Sequence, residues 1–345
     1  NAPISGGWYQ TATLPSLKYT VVETNPYTVV ETGWSTAEGK YIVTVTATDA
    51  AGNAGSASIT YTVDNTPPVI TISGAANEAW YSANVTITWS VADNLDPNPA
   101  ATANYPSPTM FSTEGSHTIT VSATDKTGNT ASKSLSFAID KAPTVTAIDM
   151  SGTAGLNGWY VSDVTVSLTA TDPSPSSGVK EIHYILNGAK TVVSGSTTTF
   201  TLTAEGINTL EYWTVDNAGN SETAKARTLK IDKTPPVANA GRDQTVIGET
   251  VSFDASGSMD NVGIVSYQWD FGDGRSGTGK TTTHTYTYAK PTYTVTLTVK
   301  DAAGNKATHS ITVTVFPTWI MVAVIVAIVV VIGAVFARRK TKTKA

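Results

Sequence analysis

Aspartate recurs at two kinds of place in this chain, and at each the carboxylate has two distinct uses. The first place is a five-residue string: "DAAGN" at 49–53 and again at 301–305, with "DKTGN" at 125–129 and "DNAGN" at 216–220 between them. The second lies 15, 15 and 16 residues after Asp49, Asp125 and Asp216, at Asp64, Asp140 and Asp232 in "VDNTPPVI", "IDKAPTVT" and "IDKTPPVA". Carboxylates are the ligands that hard cations prefer, which makes Asp64, Asp140 and Asp232 candidate calcium ligands. The other use is structural. Asp at the first position of a type I turn bonds a backbone N–H two residues on, and Gly at the fourth accepts the left-handed conformation. That chemistry accounts for D-x-x-G-N as a turn, and a strand cap is the matching alternative for the linker aspartates.

Other chemistry finds little to build on. The four histidines, His117, His183, His284 and His309, are scattered; no H-e-x-x-H or G-x-S-x-G pattern occurs, and there is no cysteine to pair with histidine. Asp270 and Asp273 in "WDFGDG" are two close carboxylates, but they sit in a turn. The chain reads as non-catalytic. The pairs Trp8-Tyr9, Trp80-Tyr81 and Trp159-Tyr160 could stack on sugars, or could begin a strand with Trp closing one end of a core. Asn84-Val85-Thr86 is one glycosylation sequon, making Asn84 a candidate acceptor.

The elements that must position these residues are legible on either side of D-x-x-G-N. The four motif aspartates are spaced by 76, 91 and 85 residues, the size of a small β-sandwich. Before the motif, inward positions alternate (Tyr41, Val43, Val45, Ala47; His117, Ile119, Val121, Ala123; Tyr293, Val295, Leu297, Val299), and after it they alternate again (Ile59, Tyr61, Val63; Leu135, Phe137, Ile139; Leu229, Ile231; Ile311, Val313, Val315). Two period-2 runs joined by a Gly-containing loop predict a β-hairpin closing each repeat. Glu-Gly precedes the first strand at 38–39, 114–115 and 205–206. Tyr41 fits the tyrosine that bonds back to the chain upstream at this corner of a sandwich.

A charged fraction of 14% with abundant Thr and Val favours strands, and the absence of Cys excludes disulfides and thiol chemistry. Residues 319–337 carry no charge and are followed by Arg338, Arg339, Lys340, Lys342 and Lys344. This predicts a transmembrane helix contacting the lipid bilayer, with a cytoplasmic tail at 338–345 and everything before Trp319 outside the cell. Setting those five cations aside leaves 17 basic residues against 27 acidic, which excludes nucleic acid as a partner. "NAPISGGWYQ" is no signal peptide, so Asn1 is expected to be a processed end or a cut through a longer protein.

Residues 234–316 resemble a PKD domain, on "WDFGDG" (269–274), "FDASGSMDN" (253–261) and "YTVTLTVKD" (293–301). The resemblance implies an Ig-like sandwich used outside cells as a spacer or binding module. If that fold holds, Asp260, Asn261, Asp270 and Asp301 approach one another and offer a second candidate calcium site. Residues 142–233 look like the Ig-like repeats of bacterial and archaeal surface proteins, on "NGWYVSDVTVSLTATDPSPSSGV" and "DNAGN"; 66–141 and a shorter 1–65 are similar more loosely. The "VDNTPP" linker is similar to that of cadherins, which however gather several acidic residues per junction where each here shows one. The expected architecture is all-β: four tandem Ig-like β-sandwiches, the last PKD-like, plus one C-terminal transmembrane helix (317–337). The expected function is that of a non-catalytic cell-surface stalk or adhesion protein that projects extracellular modules and contacts surface proteins or glycans. The alternative is an accessory region of a secreted hydrolase whose catalytic domain lies N-terminal to this chain.

Overall fold

The computed structural model describes residues 7–11, 18–287 and 289–342, with all side chains in the last segment except those at 320, 321 and 337–342. The described chain forms two compact units. One comprises 1–144 with 172–179 and 215–221, the other 145–171, 180–214 and 222–345.

Each D-x-x-G-N string is the turn of a long antiparallel hairpin, as the two alternating runs predict. Gly39–Asp49 pairs with Ala54–Val63, Gly115–Thr124 with Thr130–Ile139, Gly206–Asp216 with Lys225–Ile231, and Thr292–Asp301 with Lys306–Phe316. The inward positions form the cores: Ile119, Val121, Ala123, Phe137 and Ile139 in one, and Tyr293, Val295, Leu297, Val299, Val313 and Val315 in another. The outward positions explain the abundance of Thr and Ser. They face each other across the hairpins as hydroxyl pairs, Thr44–Ser58 (2.8 Å), Thr120–Ser134 (2.9 Å) and Thr296–Ser310 (2.9 Å), which satisfy the polar face of a half-buried sheet.

In the first unit, the hairpin of residues 39–63 carries Tyr27–Thr32 on one edge and Trp8–Tyr9 on the other. The hairpin of 115–139 joins Ala79–Tyr81 and Ala100–Ala103 in one sheet, and Val69–Ser73, Val85–Ala92 and Thr109–Phe111 make the facing sheet. In the second unit, Val145–Ser151, Val164–Thr171 and Thr197–Leu202 form a three-stranded sheet, covered by a five-stranded sheet built on the hairpin of 206–231. The last hairpin lies in a five-stranded sheet with Gln244–Ile247, Ile264–Asp270 and Ser276–Thr278, opposed by the pair Thr250–Asp254 and Thr281–Thr285. Its core holds Trp269, fully buried against Phe253 at 5.3 Å, with the indole N–H donating to the Gly279 carbonyl at 3.0 Å.

The Trp-Tyr pairs begin strands. Each forms a two- or three-residue edge strand parallel to the end of its repeat's last strand: Trp8 beside Thr62, Trp80 beside Ala138, Trp159 beside Lys230. Trp159 is buried, and the Lys126 ammonium lies 4.9 Å over the Trp8 ring. The Tyr41 hydroxyl reaches back to the Glu38 carbonyl at 3.4 Å, the contact expected of a tyrosine corner.

The C-terminal expectation is corrected. The chain ends in a helix, Thr318–Lys342, but no helix among the described residues is long and apolar enough to cross a membrane. The predicted transmembrane helix at 319–337 is therefore not supported. The single-pass location and the outside-to-cytoplasm orientation that depended on it are not supported either. The side chains of the basic tail at 338–345 lie outside the described residues, as does the start of the chain at 1–6.

Candidate metal centres

The turn aspartates are built by local chemistry. In "DAAGN" at 49–53 one Asp49 oxygen accepts the N–H groups of Ala51 (2.9 Å) and Asn53 (2.8 Å), and the other accepts the Asn53 side-chain amide (2.8 Å). The Gly52 N–H closes the turn onto the Asp49 carbonyl at 3.1 Å. Gly52, Gly128, Gly219 and Gly304 hold φ between 93° and 97°, a left-handed conformation that costs any L side chain. Asp125 and Asp216 repeat the pattern with Asn129 and Asn220.

The last residue of the motif also reaches backwards. Asn129 Nδ2 donates to the backbone oxygen of Asp64 (3.1 Å), Asn220 Nδ2 to that of Asp140 (2.8 Å), and Asn305 Nδ2 to that of Asp232 (3.0 Å). On their other side the same linker aspartates donate their N–H to the Trp-Tyr strand of the repeat they leave. Asp64 bonds the Tyr9 carbonyl (2.9 Å), Asp140 that of Tyr81 (3.0 Å), and Asp232 that of Tyr160 (2.9 Å). Each linker Asp is thus held through its own backbone N–H and carbonyl, one by a tyrosine carbonyl and the other by an asparagine side-chain amide, and has no exposed surface.

A third carboxylate closes each cluster. Asp64 meets Asp93 and Asp125; Asp140 meets Asp172 and Asp216; Asp232 meets Asp260 and Asp301. Each residue offers one oxygen, and the three oxygens of a triad lie within 4.8 Å of one another. Asp93 and Asp172 each follow a strand of one pattern, "VTITWSVAD" and "VTVSLTATD", and Asp260 follows "VSFDASGSM". Like charges at this separation, out of water, raise one another's pKa. Burial, then the charges of Asp301, Asp260 and Glu205, lifts Asp232 to about 6. Burial likewise raises Asp64, with Asp93, Asp125 and Glu38 adding to it against the Thr66 N–H. At Asp125 burial is outweighed by bonds from Thr127 and Asn129, which hold the carboxyl below its usual value.

Of the candidates named from sequence, Asp64, Asp140, Asp232, Asp260 and Asp301 lie in triads. Asp270 does not. It is at the far end of the strand whose other end, Ile264, pairs with Asp301, roughly 20 Å along the chain, and there it accepts the Gly272 N–H at 2.9 Å. Asp273 binds His284 Nε2 at 2.8 Å, and that ring stacks on Phe271 at 4.1 Å. Sequence reasoning missed Asp93 and Asp172 and treated Asp125 and Asp216 as turn residues only; the shared nine-residue strand pattern ending in Asp is the signal that marks the first two. Asn84 is exposed, and its side-chain oxygen accepts the Lys141 ammonium at 2.8 Å.

Comparison with known proteins finds both domain families in the chain, with the bacterial Ig-like match at a different place from the 142–233 expected. The PKD domain model matches residues 233–315, and the bacterial Ig-like domain (group 3) model matches 26–103. Exoglucanase B of Cellulomonas fimi is 33% identical over 236 residues, which is 58% of this chain and 21% of that protein. Collagenase ColA of Bacillus cereus is 38% identical over 90 residues, 26% of this chain and 9% of that protein. The chain thus spans about a fifth or less of the length of these curated relatives. A solved tetra-tandem repeat from the extending region of a large adhesion protein aligns over 81% of this chain and 82% of that structure. Its identity is 17% and its TM-score 0.36, too weak a likeness to bear on function.

Proposed function

We propose that this chain, which carries a PKD domain and a bacterial Ig-like domain of group 3, is a non-catalytic extension region. Its repeats space and orient other modules of an extracellular protein. The observation that carries the reading is the backbone clasp repeated at Asp64, Asp140 and Asp232. Each linker gives its N–H to the repeat before it and takes an amide from the turn of the repeat after it. Such a clasp fixes the exit and entry of the chain, which a spacer needs and a catalytic centre does not. The four histidines support the same reading. His117 bonds the Thr113 carbonyl, His183 bonds Glu181, His284 bonds Asp273, and His309 accepts the Ala240 N–H, so each serves local structure.

Limited proteolysis of the full chain tests this. Asn129→Ala, Asn220→Ala and Asn305→Ala are expected to open cleavage within 64–68, 140–144 and 232–236 respectively while the hairpins stay protected. Linkers as resistant as the parent's would overturn the reading, and so would turnover of a polysaccharide or protein substrate by the purified chain.

The curated relatives favour a second reading, an accessory region of a hydrolase. The matches are partial segments of an exoglucanase and a collagenase. Retention of the purified chain on insoluble cellulose or fibrillar collagen would support it. Passage through both would leave the spacer reading alone.

A further inference from the structure

We infer that the three aspartate triads are calcium sites of unequal strength. A glutamate of the preceding repeat, Glu38 or Glu205, stands beside the first and third and adds its negative charge there; at the middle one Glu114 is turned to the Lys141 backbone instead.

The triads are more than clusters of acid, because their carboxylates are buried without partners. Asp232 has no exposed surface and neither of its oxygens has a hydrogen-bond partner; Asp301, 2% exposed, leaves Oδ2 unpartnered, and Asp260 leaves Oδ1. In the first triad Asp64 Oδ2 and Asp93 Oδ2 are unpartnered and buried. A buried carboxylate without donors is costly unless it takes a proton or a cation. No ion pair among the described residues supplies the cation. Lys126 is paired with Asp96 at 2.9 Å and Lys233 with Asp163 at 2.6 Å, while Lys141 reaches Asn84 and the Ser112 carbonyl. The ligand set is all oxygen, with no His or Cys, which suits a hard cation and disfavours zinc or copper. Oxygens sharing one calcium ion at 2.3–2.6 Å are separated by no more than about 5 Å, the spacing found in each triad.

The fourth motif departs from the others in a telling way. Asn129 and Asn220 each bond the second oxygen of their own turn aspartate, at 2.7 and 2.8 Å, whereas Asp301 Oδ2 accepts nothing. An oxygen is left open where the other turns close it.

The glutamates set the order. Glu38 accepts the Thr66 hydroxyl (2.7 Å) and meets the Asn94 amide; Thr66 lies two residues past Asp64, and Asn94 is next to Asp93. Glu205 does the same with the Thr234 hydroxyl (3.0 Å) and the Asn261 amide, beside Asp232 and Asp260. The middle triad lacks this arrangement. Ala142 replaces the threonine and Pro173 the asparagine, and Glu114 accepts the Lys141 N–H instead. Protein donors also consume its oxygens: Asp140 accepts Ser177 N–H (2.8 Å), and Asp172 accepts Gly178 N–H (2.7 Å) and the Ser176 hydroxyl (2.8 Å). Only Asp172 Oδ1 of that triad is buried and unpartnered.

Calorimetric titration of the chelator-stripped full chain with calcium tests this, with terbium luminescence as a second readout. Two tight equivalents and one weaker one are expected. Glu38→Gln and Glu205→Gln should each weaken one tight site by about tenfold, since a negative charge next to the ligands raises cation affinity; circular dichroism of the calcium-free chain should not change. Asp172→Asn should remove the weak equivalent alone. Three equal equivalents, or tight sites indifferent to both glutamate changes, would overturn the ranking and leave the triads as cation sites. No saturable binding by either readout would overturn the sites themselves, and the proteolysis test of the extension reading would stand apart from that result.

Discussion

Asn305 Nδ2 lies 3.0 Å from the backbone oxygen of Asp232, and this one bond joins a turn to the linker 73 residues before it. The same amide type at Asn129 and Asn220 makes the same join at Asp64 and Asp140. At 125–129, 216–220 and 301–305 a single five-residue string therefore closes a hairpin, seats the preceding linker and presents a carboxylate to the triad. Local turn chemistry and the longer-range joint are one construction, which is why the motif recurs once per repeat.

Removing that amide should loosen the joint before it unfolds the module. Asn305→Ala deletes a bond to a buried carbonyl, a loss of about 1–2 kcal/mol. Hydrogen exchange in the full chain is expected to speed at the amide of Asp232 by about five- to thirtyfold, which is what such a loss implies. Exchange in the strand Thr292–Asp301 should change far less. Equal acceleration in both would mean that the amide stabilises the module as a whole.

The four turn glycines are equivalent in backbone and unequal in surroundings, which separates two costs. At Gly219 (φ 96°) an added Cβ meets nothing within 4 Å, so Gly219→Ala carries only the left-handed strain, roughly 1–2 kcal/mol. At Gly304 (φ 97°) the Cβ would also sit 2.8 Å from the Leu156 side chain. Gly304→Ala should therefore exceed Gly219→Ala by about 1 kcal/mol or more. Protection factors of the two hairpins in the full chain would show it, and equal losses would mean Leu156 yields without cost.

Most of the fold was legible because its signals are local. Period-2 alternation and D-x-x-G-N place the hairpins, and the residues read as inward in the last one, Tyr293 to Val299, are buried. The triads were half legible. Asp64, Asp140 and Asp232 stand out beside their prolines, but Asp93 and Asp172 belong to loops that only the folded topology brings to the linker. Asp270 was misplaced for the same reason: nearness in sequence to the PKD motif says nothing about which end of a strand a residue occupies. The apolar run at 319–337 is legible as apolar, yet composition alone does not deliver a membrane-spanning helix.

Trp269 anchors the last module in two ways, by volume and by its indole N–H. Trp269→Phe leaves a cavity beside Phe253 and orphans the Gly279 carbonyl, 3.0 Å from the indole nitrogen. A loss of about 2–4 kcal/mol is expected from the two effects together. Protection in Thr292–Asp301 should fall accordingly, with that of Thr130–Ile139 unchanged. A loss below about 1 kcal/mol would mean the core closes over the gap.

Cation-free protein should show the charge stored at Asp232. Its carboxyl is lifted to about 6 by burial and by Asp301, Asp260 and Glu205, from an ordinary value of 3.8. Between these values the folded state holds a proton that the unfolded chain has released, so stability falls as pH rises through the interval. Below it both states are protonated, and above it both are ionised with the full penalty present. In the chelator-treated full chain, protection of Thr292–Asp301, corrected for intrinsic exchange, should be greatest near pH 4. It should decline toward pH 6 and then level. Asp232→Asn removes the titrating group and should flatten the profile. Calcium at neutral pH should restore protection in the parent and not in that variant, because the ion compensates the same charge that the proton does. Protection that rises from pH 4 to 6 in the calcium-free parent would show that Asp232 is ionised and satisfied without a cation.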